Sequence, residues 1–126
     1  RTKSRGLGDV YKRQVTGFGL AGHVQSMCKF SQLDADLWHD AIPIYAGART
    51  LSLAGVSSVL MPVNRKDTQV DGVEDELLYD PQTAGGLLAA VPKESSESVL
   101  QALALKGCVG HVIGGLTEGT GLLRLS

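Results

Sequence analysis

The sequence has little of what metal-stabilised, disulfide-bonded and membrane proteins are built from. Its two cysteines, Cys28 and Cys108, lie far apart, and its three histidines, His23, His39 and His111, share no ligand spacing. Neither a disulfide framework nor a zinc site is therefore expected. Each cysteine sits in an apolar stretch, which predicts that both are buried as small hydrophobes. Aromatic residues make up only 5% of the chain, so its core must be aliphatic. No apolar run approaches a membrane span and the N-terminal segment lacks the hydrophobic stretch of a secretory signal, which makes a cytoplasmic setting without a membrane partner the default expectation. A formal net charge of -1 provides no basic surplus for nucleic acid. At 126 residues the chain is one domain, too short for a two-domain enzyme, and it does not begin with Met.

What is present is an ordinary globular composition, 43% hydrophobic and 20% charged, with an excess of glycine at 16 residues. The charge is uneven. Arg1, Lys3, Arg5, Lys12 and Arg13 face a single acid, Asp9, within the first 14 residues, whereas the remainder is clearly acidic. This mismatch predicts a basic leader at 1–14, foreign to a domain at 15–126.

Periodicity places the elements. Thr16 is a candidate N-cap, and Leu20, Val24, Met27 and Cys28 follow the spacing of one buried helical face, predicting a helix that ends near Lys29 or Ser31. Residues 35–40 alternate loosely before Pro43 and read as an edge or half-buried strand. Ala46, Ala48, Leu51 and Ala54 predict a helix stopped by Gly55. From Val56 to Gly72 the pattern is polar and irregular; Pro62 limits any helix there, and residues 66–70 fit a short strand. Glu74 to Tyr79 makes one or two helical turns ended by Asp80-Pro81. The apolar run Leu87–Val91 has the pattern of a central strand. A helix over about 94–106, stopped by Gly107, precedes strands at His111–Ile113 and Leu122–Leu125, expected as antiparallel neighbours, or nearly so, across a glycine-containing turn. Without strict βαβ alternation, these elements predict an α+β fold with a mixed, largely antiparallel sheet and packed helices.

Two motifs stand out. Gly17-Phe18-Gly19-Leu20-Ala21-Gly22 is a literal G-x-G-x-x-G, yet the dinucleotide version needs a buried strand just before it and Tyr11-Lys12-Arg13-Gln14 is charged. The kinase version needs H-R-D and D-F-G, which do not occur. The glycines are therefore read as permitting close packing of the first helix, whose N-terminal N–H groups and dipole can still face a phosphate. Asp80-Pro81-Gln82-Thr83-Ala84-Gly85-Gly86 offers polar groups and close backbone approach to a ligand. Its spacing fits better a turn in which Asp80 and Thr83 bond nearby backbone. The acids Asp34, Asp36, Glu74, Asp75 and Glu76 read as solvated.

Three ordered segments nevertheless resemble one family. Residues 15–23, the Asp40-Ala41-Ile42-Pro43 stretch and residues 77–88 are similar to the C-terminal half of selenophosphate synthetase (selenide, water dikinase), over nearly all of 15–126. The resemblance implies the C-terminal α+β domain of the aminoimidazole ribonucleotide synthetase-like fold. The implied parent phosphorylates selenide with ATP, releasing AMP and phosphate, and uses Mg2+. It is also implied to be a homodimer in which an N-terminal domain, missing here, forms the ATP site. That domain carries the reactive Cys or selenocysteine, so no catalytic residue is expected in this chain and the chain alone is expected to be inactive. Thr16 and Gly17 are the residues implied to lie near ATP and metal. Gly19, Gly22, Asp80, Pro81, Gln82, Thr83, Gly85 and Gly86 are signature residues expected to shape the domain. The family's metal-binding Asp, two residues before the Thr, is replaced by Gln14, a neutral amide and a poorer magnesium ligand. The agreement begins abruptly at Val15, and residues 6–14 resemble translated adapter sequence. Two other readings remain open: a related ATP-dependent enzyme with another substrate, and a stand-alone binding or dimerisation domain.

Overall fold

The computed structural model describes residues 11–83 and 85–126. Strand β1 (Tyr11–Gln14) leads through a short loop into helix α1 (Gly19–Ser31), followed by β2 (Leu33–Leu37), α2 (Ala48–Leu53), α3 (Met61–Asp67), β3 (Asp71–Gly72) and β4 (Leu87–Ala90). Helix α4 (Ser96–Leu105) and strands β5 (Gly114–Glu118) and β6 (Leu123–Leu125) complete the chain. Short 3-10 turns lie at His39–Ala41, Glu76–Tyr79 and Lys93–Ser95. Among the described residues there is a four-stranded sheet in the order β3-β6-β2-β5 and a two-stranded sheet of β1 with β4. The class is α+β, as expected, and the sheet is mixed: β2–β5 and β1–β4 are antiparallel, while β2–β6 and β3–β6 are parallel and shorter. Most of the expected leader, residues 1–10, lies outside the described residues, but Tyr11–Gln14 pairs with β4 from Tyr11↔Ala90 to Gln14↔Leu87.

Alternation explains β2. Leu33, Ala35 and Leu37 are buried while Asp34 and Asp36 point to the other face. Helix α1 lays Ala21, Val24, Met27 and Cys28 onto that apolar face beside Leu123 and Leu125 of β6, and this is the core. The predicted helical face is therefore the observed one. Its start is not. The N-cap is Phe18, without a side-chain cap bond, because Gly19 at φ +80 makes the turn into the helix. A Cβ at Gly19 would press on Leu78 O at 2.9 Å, so a glycine is needed on steric grounds as well.

Tertiary structure revises several local expectations. Strand β2 is the half-buried strand of the two alternatives, not the edge, and lies between β5 and β6. The last two strands run antiparallel, as expected, but with β2 between them rather than paired directly. The penultimate strand is Gly114–Glu118, not His111–Ile113: its glycine-rich start fits because a Cβ at Gly114 would collide with Asp36 O of β2. Leu87–Ala90 is not a central strand either; it pairs with β1, buries Leu88 and Ala90 and leaves Leu87 exposed. Within 56–72, Pro62 sits in the first turn of helix α3, where a residue needs no intrahelical N–H bond, and residues 66–70 form no strand: 66 and 67 close that helix and the strand is Asp71–Gly72. Cys28 is buried as expected, and burial, with Asp34 adding to it, pushes its thiol up to about 11. Cys108 is exposed.

Asp34 is not merely solvated. Its Oδ1 accepts the backbone N–H groups of Thr120 (2.9 Å), Gly121 (3.1 Å) and Leu122 (2.9 Å), closing the turn that carries the chain from β5 over the end of β2 to β6. A side chain at 119 would overlap the same carboxylate. Bonds from Leu122 and Thr120, with help from Gly121 and Arg124, hold the Asp34 carboxyl below its usual range. Because it titrates lower when folded, its stabilisation is complete above about pH 4 and is lost as the pH falls through the folded value. Asp34→Asn is thus expected to melt several degrees below the parent at pH 7 and to lose less on acidification. Melting curves whose separation stays constant down to acid would contradict this.

Candidate functional site

The two sequence motifs meet. Val15 N–H donates to Gly86 O (2.9 Å), Gly85 N–H to Val15 O (3.1 Å) and Gln82 N–H to Thr16 O (3.1 Å), so the 15–18 loop and the 80–86 loop form one pair knit by backbone. Gln14 Nε2 donates to Gly85 O at 3.2 Å and draws the end of β1 into the same cluster. Gln82 Nε2 donates to Asp80 Oδ2 at 3.1 Å and to Asp80 O at 3.4 Å, so Gln82 braces the turn where bonds from Asp80 and Thr83 to nearby backbone were expected. Thr83 is exposed, as is Gly86, where an added Cβ would meet nothing within 4 Å.

Thr16 and Gly17 differ in what they offer. The Thr16 N–H donates to His23 Nε2 at 3.0 Å, and its Oγ1 lies 3.0 Å from the same nitrogen. Since a backbone N–H only donates, Nε2 is the lone-pair nitrogen in this geometry. The hydroxyl of Thr16 is thereby committed to the interior. Gly17 instead faces outward with open space around its Cα, and its carbonyl is pinned by Asn64. Asn64, on α3, is buried; its Nδ2 donates to Gly17 O at 2.8 Å and to Tyr79 O at 2.9 Å. Sequence reading missed Asn64, which lies in a stretch read as irregular. It also missed the anchoring role of His23, although His23 closes the first quoted segment.

Helix α1 begins at this loop with no side-chain cap and no acidic residue in its first turn. Its first N–H groups and the positive end of its dipole therefore have no carboxylate of their own helix beside them. Phe18, 66% exposed, stands at the same place.

A second polar cluster braces the neighbouring surface. Asp75, expected to be solvated, is buried; its carboxylate accepts His39 Nε2 at 2.7 Å, Arg49 Nη1 at 2.6 Å and the Leu77 N–H at 3.1 Å. Burial pushes its carboxyl up, but Arg49, the Leu77 N–H and His39 together outweigh burial and hold it below the usual range. Glu74 and Glu76 share Arg65 at the surface, at 2.7 and 3.4 Å.

A cavity of about 330 Å³ between α1, α3 and the Gly119–Leu122 turn includes Lys29 and Lys66, but no residue of either motif loop. Among the described residues no three His, Cys, Asp or Glu side chains converge as a metal cluster. Gln14 adds a neutral amide whose NH2 is engaged with Gly85 O. These residues do not by themselves fit a magnesium ion, which is held largely by anionic oxygen. No helix of the described residues is long and apolar enough to cross a membrane.

Comparison with known proteins adds a family. The C-terminal domain of AIR synthase related proteins matches residues 13–123, a span that includes Arg13 and Gln14. The chain is similar to the selenide, water dikinase of Clostridioides difficile (strain 630), 35% identical over 103 residues, or 75% of this chain and 30% of that protein. It is 38% identical over 112 residues to the selenide, water dikinase of Aeromonas hydrophila, covering 85% of this chain and 32% of that protein. Selenide, water dikinase 2 of Peptoclostridium acidaminophilum is 35% identical over 108 residues, 80% of this chain and 31% of that protein. The chain spans about a third of the length of these curated relatives.

Proposed function

The chain belongs to the AIR synthase related family through its C-terminal domain, and from that membership we propose that it serves as the C-terminal part of a selenophosphate synthetase. In this reading the parent enzyme uses ATP to phosphorylate selenide, yielding selenophosphate, AMP and phosphate, and works as a homodimer. An upstream half carries the ATP site, most of the magnesium ligands and the reactive residue. This chain supplies the wall against which the nucleotide phosphates are oriented. The observation that carries the reading is that both motif segments fall within the family match and are knit into one loop pair, exposed at Gly17, Phe18, Thr83 and Gly86, at the N-terminus of α1, which has no side-chain cap. There the open backbone at Gly17 allows a phosphate close approach, and the helix N–H groups favour an anion. Thr16 acts through the loop's shape, held by His23, rather than by its hydroxyl.

The test replaces the matching C-terminal part of the Aeromonas hydrophila enzyme with residues 14–126. Carrying Gln14→Asp, the chimera is expected to form AMP from ATP in a selenide-dependent reaction. With Gln14 the rate should fall by about 10-fold or more, the least that disturbing even the outer-shell partners of a metal ligand costs. The 126-residue chain alone is expected to turn over no ATP. Selenide-independent turnover in the chimera, or none in a folded Gln14→Asp chimera, would defeat the reading.

A further inference from the structure

Residues 44–63 carry one charged side chain, Arg49, in a chain that is 20% charged, and Arg49 is spent on Asp75. The same stretch exposes large apolar side chains in close succession: Tyr45 (86%), Leu51, Leu53 (82%), Val56, Val59 (90%) and Val63. Helix α2 has six residues and buries none of them fully. So short a helix is marginal on its own in water. The stretch is attached from beneath, by Arg49 to Asp75 and by the buried Met61 and Asn64 of α3, which leaves the apolar side chains on the outer side. Large apolar side chains exposed in such close succession, with one charge among them, mark an interface on a globular domain.

We infer that the 44–63 face is the surface on which the upstream, ATP-binding part of the parent protein docks. This inference rests on the function proposed above. Two observations favour that occupant over a second copy of the chain. About two thirds of the relatives' length lies outside the matched region, so in the proposed parent a large partner is covalently at hand. The face is also tied to the motif loop: Asn64 on α3 holds Gly17 O, and the exposed Phe18 stands beside it. A partner seated on 44–63 therefore also borders the loop proposed to meet the phosphates, and its docking sets where α3 places Gly17.

The experiment is maleimide labelling of the Val59→Cys variant, read peptide by peptide, in the free 126-residue chain and in the active chimera. In the free chain, monomeric by light scattering, the thiol introduced at position 59 is expected to label as fast as the exposed Cys108, while the buried Cys28 stays unlabelled. In the chimera the same thiol should label about 10-fold or more slowly, as expected for the water-excluded centre of an interface. A cysteine at the aligned position of the intact Aeromonas hydrophila enzyme gives the same comparison without depending on the chimera's folding. Equal labelling rates in free and full-length forms would overturn the inference, and so would a free chain that dimerises with position 59 protected. An active chimera with position 59 unprotected removes this face but keeps the proposed function. A folded, inactive chimera with position 59 protected does the reverse.

Discussion

Replacing Gly85 by alanine should lower the unfolding free energy by about 3 kcal/mol, the upper part of the range for forced overpacking, whereas the same change at Gly86 should shift it by no more than about 0.5 kcal/mol. The two glycines look equivalent in the sequence. In the structure a methyl group at 85 would overlap Val15 O and meet Gln82 Cβ at 2.9 Å, while at 86 it would meet nothing within 4 Å. The obstacle at 85 is backbone, which cannot rotate aside as a side chain can. Relief requires separating the 15–18 and 80–86 loops, and with them the bonds from Gly85 N–H to Val15 O and from Val15 N–H to Gly86 O. Alanine at 86, where φ is not in the left-handed region, restricts only the unfolded chain. Urea unfolding of both variants settles the point; equal losses would mean that the loops are not packed as described.

Asn64→Ala should cost about 3 kcal/mol, since it strips two carbonyls of their donor and leaves a small cavity. Both partners of Nδ2 are carbonyl oxygens, which only accept, so the orientation of the amide is dictated by its neighbours. Asn64→Asp keeps the shape and is expected to be at least as damaging, because a carboxylate oxygen would then face Gly17 O and Tyr79 O with no hydrogen to share. Chemical denaturation of the pair separates donor from filler. If the Asp variant were close to the parent while the Ala variant was not, Asn64 would act through volume alone. In the chimera, both variants should also lower selenide-dependent turnover beyond what their stability predicts, because the Gly17 loop loses its tether.

Elements defined by their own neighbours were legible. The face of α1 at Val24, Met27 and Cys28 follows from a 3.6-residue period. The ends of α2 and α4 follow from Gly55 and Gly107, both at positive φ just beyond the helix. The 3-10 turn before Asp80-Pro81 follows from what proline does to the residue before it. The motif segments at 15–23 and 80–86 were legible as segments, and so was the resemblance they carry. Asp34 and Asp75 were not: a carboxylate beside a strand looks solvated until the turn at Thr120–Leu122, or Arg49 and His39, arrives from elsewhere in the chain. Cys108 was misjudged because apolar neighbours in sequence do not guarantee a covering layer in space.

The sequence by itself determined the α+β class, the buried face of α1 and the identity of the two motif segments, because each depends on periodicity or on residues adjacent along the chain. Only the tertiary structure decided that β2 lies between β5 and β6, that the two motif segments form one loop pair, that Gly85 and Gly86 differ, and that Asn64 holds Gly17. Those features arise where distant backbone groups must satisfy one another's hydrogen bonds within a shared packed volume, and local pattern does not specify which distant group will be the partner.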